Sequence, residues 1–292
     1  ESGPFGYLAE KASTNLTLQS EDFTTSWALA NTTVAANAAV APDGTTTMDR
    51  MLVNTTSGAH FLYQAIAAVV GTNYTASVYM KDDGAGFGGI VLGNGSSSHI
   101  SVVVDLSAGL VTATNSGGTS GTIVATGCDD VGNGVYRVWI SGNSGVANGY
   151  VYPFLSNAAV PTFAVDGAAQ YTGVLGEDIL IWGAQVELGT YPTSYNPTTT
   201  TAVLRNGDLL NLASGIVDGS LGTVSFEASS GHNVSGGSAH TVFSFNASTR
   251  MYANTISGTG YYPNAGNGST IANGVSRYNT AVQSAMTYNG LD

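Results

Sequence analysis

A chain of 292 residues with 39 glycines, 43% hydrophobic and only 9% charged side chains has room for one large or two medium domains and is too apolar to stay disordered. Its formal charge of −12, from 7 basic against 19 acidic residues, excludes a nucleic-acid binder, because phosphate neutralisation takes many cations. Anionic membranes are disfavoured for the same reason. The lone Cys128 excludes an intrachain disulfide, and no apolar run approaches the roughly 20 residues of a membrane span.

Thr, Ser, Asn, Val and Gly predict strands and tight turns rather than helices. In chain order, 14–27 (TNLTLQSEDFTTSW) reads as an opening strand and corner, and Pro42-Asp43-Gly44 as a turn. Strand 61–67 follows. In 74–80, Tyr74, Ala76, Val78 and Met80 alternate with Thr75, Ser77 and Tyr79. Asp82-Asp83-Gly84 turns the chain into 88–92, Asn94-Gly95 into 100–105, and strands follow at 110–114 and 122–126. Asn133-Gly134 is the cleanest hairpin signal, since both residues tolerate positive φ. It leads into 135–141, where Tyr136, Val138 and Ile140 take the core register and Arg137 and Trp139 point the other way. After Asn148-Gly149 and strand 150–155, the stretch 171–197 contains one long strand at 177–188 and exits through two prolines. About ten short strands at this spacing predict an antiparallel sandwich.

PTTTTAVLRN at 197–206 breaks the pattern and reads as an extended connector. Beyond it, 222–227, 241–245, 251–254 and 282–288 read as strands, and a helix at 278–288 is the alternative for the last of these. No internal repeat is evident.

Two ends of the first region carry a more specific pattern. Thr14-Asn15-Leu16, Ser20-Glu21-Asp22-Phe23 and Trp27 open it; Trp182-Gly183-Ala184-Gln185-Val186-Glu187 and Pro192-Thr193-Ser194-Tyr195-Asn196-Pro197 close it. Together they resemble the start and end of a jelly-roll module recurrent in bacteriophage virion fibres, spikes and tail proteins. A third stretch, Asp130 to Arg137, is similar to that family's D-V-G-N-G-W-Y-R, with Val135 in place of Trp. The strand order after 207, with Tyr288-Asn289-Gly290, resembles the first half of a laminin-G or concanavalin-like lectin sandwich and looks truncated. The resemblance implies an all-β chain: an N-terminal connector (1–13), an antiparallel jelly-roll β-sandwich resembling carbohydrate-binding modules (14–197), a linker (198–206) and a partial lectin-like sandwich (207–292).

It further implies a structural surface protein of a phage or phage-like particle, assembled in the host cytoplasm, where a lone thiol is unremarkable. Its partners would be other virion proteins, host-surface polysaccharide and further copies of itself. Sparse surface charge also points to an oligomer, since it protects poorly against association. The alternatives are a polysaccharide depolymerase or glycosidase, and a secreted bacterial adhesin.

Four adjacent carboxylate pairs stand out: Glu21-Asp22, Asp82-Asp83, Asp129-Asp130 and Glu177-Asp178. Strand neighbours point to opposite faces, and Asp beside a turn favours local backbone hydrogen bonds. No catalytic residue is therefore assigned, and the chain is expected to be no enzyme, with no hydrolytic activity. Related carbohydrate-binding jelly-rolls imply a structural calcium at Glu21 and Asp22 as the one cofactor to look for. His60, His99, His232 and His240 show no metal spacing, and Cys128 reads as a small buried strand residue. Gly84-x-Gly86-x-x-Gly89 precedes a strand rather than a helix, so it makes no phosphate site. The better lead is aromatic: Tyr79, Arg137 and Trp139 share one face off the core, where they would suit a sugar ring or another subunit.

Overall fold

The computed structural model describes residues 10–118, 121–145 and 147–208, and five strands beyond them. It divides into two compact units, Glu1–Leu209 and Leu210–Asp292. Among the described residues every regular element is a strand, so the all-β expectation holds, and no helix is long and apolar enough to cross a membrane.

In the first unit the opening strands are β1 (Ser13–Asn15), β2 (Ala28–Ala30), β3 (Thr32–Ala39), β4 (Met48–Val53), β5 (Ser57–Ala59) and β6 (Phe61–Ala65). The middle of the unit holds β7 (Tyr74–Asp83), β8 (Phe87–Gly93), β9 (His99–Asp105), β10 (Leu110–Gly117), β11 (Thr122–Gly132) and β12 (Val135–Asn143). It closes with β13 (Tyr150–Ser156), β14 (Gln170–Thr172), β15 (Asp178–Leu188) and β16 (Val203–Arg205). One six-stranded sheet runs β11-β12-β7-β15-β4-β3, the second runs β10-β9-β8-β13-β6-β2, and all their pairings are antiparallel. Asn133 and Gly134 both sit at positive φ, 57° and 72°, in the β11–β12 hairpin, as two-residue hairpin turns require.

The two-residue alternation decides what lies between the sheets. Ala76, Val78 and Met80 of β7, Val138 and Ile140 of β12, and Ile90 and Leu92 of β8 are buried in one cluster. Each such aliphatic side chain stabilises the fold by about 1.5–3 kcal/mol relative to exposure. In β15 the alternation is broken on purpose. Ile179 and Ile181 face the core, as do Ala184 and Val186, so an extra residue must sit between the two sets. Gly183 supplies it at φ 63°, where the pairing with β7 slips from Trp182↔Tyr79 to Gln185↔Ser77. A Cβ there would lie 2.8 Å from the Tyr79 ring, so the bulge needs glycine on two counts. Its effect is to keep Trp182, Gln185 and Glu187 all on the outer face.

That outer face is where the two ends of the unit are tied together. Asn15 Nδ2 donates to the carbonyls of Ala184 (3.0 Å) and Asn196 (2.9 Å), while its Oδ1 accepts from Val186 N–H (3.2 Å). Glu187, fully buried, accepts from Gln185 Nε2 (2.7 Å), Thr193 N–H (2.8 Å), the Thr193 hydroxyl (2.7 Å) and the Ser13 hydroxyl. Backbone bonds Leu16 N–H to Val186 O (2.8 Å) and Ala184 N–H to Ser20 O (2.8 Å) complete the join. The residues that carry the phage-module resemblance therefore form a clasp, and only 13–15 of the opening segment is strand.

Two segments differ from their sequence reading. The connector expected at 198–206 belongs to the first unit: β16 pairs with β1, and the Thr198 hydroxyl donates to Thr17 O at 2.7 Å. The β3–β4 hairpin was not foreseen, because Ala35-Ala36-Asn37-Ala38-Ala39 has no apolar alternation and Asn37 (φ 55°) sits in a register shift. In the second unit Leu221–Ala228 pairs with Val282–Asn289, and Ala239–Ser244, Arg250–Thr255 and Tyr261–Ala265 form a three-stranded sheet, all antiparallel. Residues 282–289 are thus strand rather than helix. His232 and Gly290 lie outside the described residues.

Replacing Glu187 by alanine would leave its buried donors unpaired, costing about 3 kcal/mol or more. Thermal unfolding of the first unit should fall by roughly 6–12 °C, whereas Leu188→Ala, at an exposed position, should change it little. An unchanged melting point for Glu187→Ala would contradict the clasp.

Candidate functional site

The pairing of β7 with β12 sets Arg137 opposite Tyr79 and Trp139 opposite Ser77. All three are on the outer face, as the alternation requires. Tyr79 and Arg137 are together: the guanidinium carbon lies 5.5 Å from the Tyr79 ring centroid. Both, however, are under the exit segment, at 8% and 9% exposure. Arg137 Nη1 donates to Thr193 O (2.7 Å) and Nη2 to Ser77 Oγ (3.0 Å). Tyr79 meets Trp182 and Tyr195 edge-on, at ring separations of 5.2 and 5.9 Å. Trp139 stands apart and half-exposed. Its indole N–H donates to Asp129 Oδ2 (2.9 Å), and its ring lies on Gly127, where a Cβ would approach to 2.4 Å. Sequence alternation found the face but could not show the strap that covers two-thirds of the trio.

Beside that strap lies a cleft of about 550 Å³. The opening corner contributes Gln19, Glu21, Asp22 and Thr24; the β3–β4 hairpin contributes Asn37, Thr47 and Asp49; the exit contributes Thr198 and Thr199. Glu21 and Asp22 sit in a turn rather than a strand, so adjacency here does not force them apart. Their environments differ. Burial, opposed by the hydrogen bond from the Tyr195 hydroxyl (3.1 Å) and reinforced by Asp43, holds the Glu21 carboxyl above its usual range. The Thr24 hydroxyl and other turn hydrogen bonds hold Asp22 below its own. Asp49 is pushed up mainly by burial, and both of its oxygens are taken: Oδ2 accepts from Phe23 N–H and Oδ1 from Asn37 N–H, each at 2.9 Å. It reads as a lock between corner and hairpin. Trp182 closes the aromatic side of the region, its N–H donating to Thr47 Oγ1 at 3.0 Å.

Most of the remaining paired carboxylates are engaged elsewhere, although Glu177 Oε2 is buried with no hydrogen-bond partner. Asp82 caps its turn through Gly84 and Gly86 N–H, Asp83 pairs with Arg50 at 2.5 Å, Asp130 accepts from Gly132 N–H, and Asp178 from Val53 N–H. Among the described residues no group of three or more His, Cys, Asp or Glu is arranged to hold a metal ion, Glu21 and Asp22 included. Cys128 packs at the core margin, and burial, then the carboxylates of Asp129, Asp105 and Asp130, pushes its thiol up to about 11. It stays protonated at neutral pH and is a poor nucleophile. Gly84 and Gly86 lead into β8, as the sequence indicates.

No protein-family model matches the chain, and no curated protein matches it. Among solved structures, it is similar to the bacteriophage CBA120 tailspike protein 4 enzymatically active domain, at 14% identity and a TM-score of 0.33, over 60% of this chain and 21% of that one. That protein is described as enzymatically active, and the expectation that this chain is no enzyme and lacks hydrolytic activity is corrected accordingly. Of the carboxylates that the sequence shows at turns, Glu21 and Asp22 line the cleft, where the fold adds Asp49 from β4.

The raised Glu21 and Asp49 carboxyls favour the folded state most when protonated. Their stabilisation is present below the unfolded values and is lost as pH rises through the folded ones; the lowered Asp22 works in the opposite sense, losing its contribution as pH falls. Glu21→Gln keeps the acceptor for Tyr195 and cannot ionise. Its stability relative to the parent should therefore grow as pH rises from about 4 to about 7, measured by thermal unfolding. A difference independent of pH would contradict the raised Glu21.

Proposed function

We propose that the chain is a polysaccharide-engaging module of a bacteriophage tail appendage, carried on the virion surface beside other structural proteins. One observation carries the polysaccharide reading. The cleft offers amides, hydroxyls and carboxylates from Gln19, Glu21, Asp22, Asn37, Thr47 and Thr198, with no Lys or Arg among its lining residues. Such a surface suits neutral, hydroxyl-rich ligands and repels phosphate or sulfate. The phage reading is supported by the opening and closing motifs, whose residues build the clasp that frames the cleft. Trp139, the half-exposed member of the outer-face trio, is a second place for a sugar ring to stack. Self-association into a symmetric assembly belongs to the same proposal, and a monomeric mass for the full-length protein would count against it.

A second reading is favoured by the split between Glu21 and Asp22: glycoside hydrolysis. Neighbouring carboxyls whose environments push their pKa values apart are the mark of an acid and a base. Glu21 would protonate the glycosidic oxygen as the bond to the anomeric carbon breaks. A water, giving its proton to Asp22, would supply the new bond to that carbon.

The test is to mix the purified full chain with polysaccharide from a susceptible host and to follow both binding and new reducing ends. Binding is expected, and its absence would contradict the proposal. If reducing ends appear, Glu21→Gln should lower their rate by about 100-fold or more; an unchanged rate would take the acid role from Glu21. Trp139→Ala should weaken binding by about tenfold or more without unfolding the protein.

A further inference from the structure

We propose a separate stacking site for a neutral sugar ring on the outer face of the second sheet, built from Tyr63, Tyr150 and Tyr152. It is independent of the cleft, which lies on other strands, and rests only on the wider polysaccharide reading. The three rings form a triangle with separations of 5.8 Å (Tyr63–Tyr150), 6.0 Å (Tyr63–Tyr152) and 6.0 Å (Tyr150–Tyr152). Tyr63 and Tyr150 are half-buried, so each ring keeps part of its surface toward solvent.

Their cross-strand neighbours leave them open. Tyr150 faces Gly93 on β8 and Ala65 on β6, and Tyr63 faces Ala28 on β2. Larger residues at these positions would cover the rings. Tyr152 is 3% exposed, yet its hydroxyl has no hydrogen-bond partner. It reaches the β8–β9 turn, where a Cβ on Gly95 would lie 2.9 Å from it and 3.8 Å from the Tyr150 ring. Burial first, then the Asp166 carboxylate, pushes this phenol well up, so it keeps its proton and has one to donate.

The chemistry selects the ligand. No strand of this sheet carries Lys or Arg, so a phosphate or sulfate has nothing to bind. Tyrosine faces stack on the C–H face of a pyranose, and an unpaired buried hydroxyl is satisfied by a sugar hydroxyl. A neutral hexose in a polysaccharide chain supplies both.

Affinity electrophoresis of the full chain through gels containing dextran, laminarin or galactomannan tests this. At least one polymer should retard the protein. Tyr63→Ala and Tyr150→Ala should each weaken that retardation about tenfold. Tyr152→Phe, which removes only the hydroxyl, should weaken it between about twofold and tenfold, and Leu188→Ala, at an exposed position outside both sites, should leave it unchanged. Tyr63→Leu and Tyr150→Leu keep apolar volume at each position, and melting curves confirm that each variant is folded. Retardation that survives the folded Tyr63 and Tyr150 variants overturns the site, as does no retardation by any polymer. Retardation lost only in Glu21→Gln also overturns it, while supporting the cleft.

Discussion

The buried Glu187 carboxylate is the constraint on which the rest of the first unit depends. It is fully enclosed, has no salt-bridge partner among the described residues, and is satisfied by hydrogen-bond donors from Ser13, Gln185 and Thr193. A buried anion survives only where donors are held to meet it. Those donors come from the start of the chain, the closing strand and the exit, so satisfying Glu187 fixes all three segments relative to one another. Asn15 repeats the device a short distance away, tying β1 to the carbonyls of Ala184 and Asn196.

The exit segment inherits its path from that clasp. Held at Thr193 and Asn196, it crosses the outer face of the first sheet and lays Tyr195 against Trp182, ring to ring at 4.6 Å. The same crossing buries Arg137 under Thr193 O and reaches Glu21 through the Tyr195 hydroxyl. One placement therefore both covers the aromatic face and perturbs the carboxyl in the neighbouring cleft. Packing and site chemistry are linked through a single tyrosine, which accepts from or donates to Ser20 at 2.6 Å while contacting Glu21.

Local periodicity was readable, and the motifs at 14–27 and 182–197 also marked the two ends that meet; the side-chain geometry of that closure was not readable. Val78 and Met80 face the core and Tyr79 faces away because a strand has period two, and Asn133-Gly134 turns because both residues accept positive φ. These features need only neighbours in the chain. The bulge at Gly183 was present in the letters W-G-A-Q, yet alternation alone could not show that Gln185 and Trp182 share a face. The β3 strand escaped because alanines carry no face preference. Burial of Tyr79 and Arg137 depends on a backbone carbonyl, Thr193 O, whose position follows from contacts nearly the length of the domain apart. The cleft likewise joins residues near 21, 49 and 198, which no spacing rule connects.

Native-state amide hydrogen exchange on the first unit tests the clasp most directly, because it reads the free energy of opening at each backbone N–H. The amides of Leu16, Ala184, Val186, Thr193, Asn196 and Thr198 donate across the join. If the clasp is the organising constraint, they open together, at a free energy close to that of the core strands β7 and β12. Fast, independent exchange at Thr193, Asn196 and Thr198, with β7 and β15 still protected, would show that the exit segment merely rests on a sandwich that is stable without it.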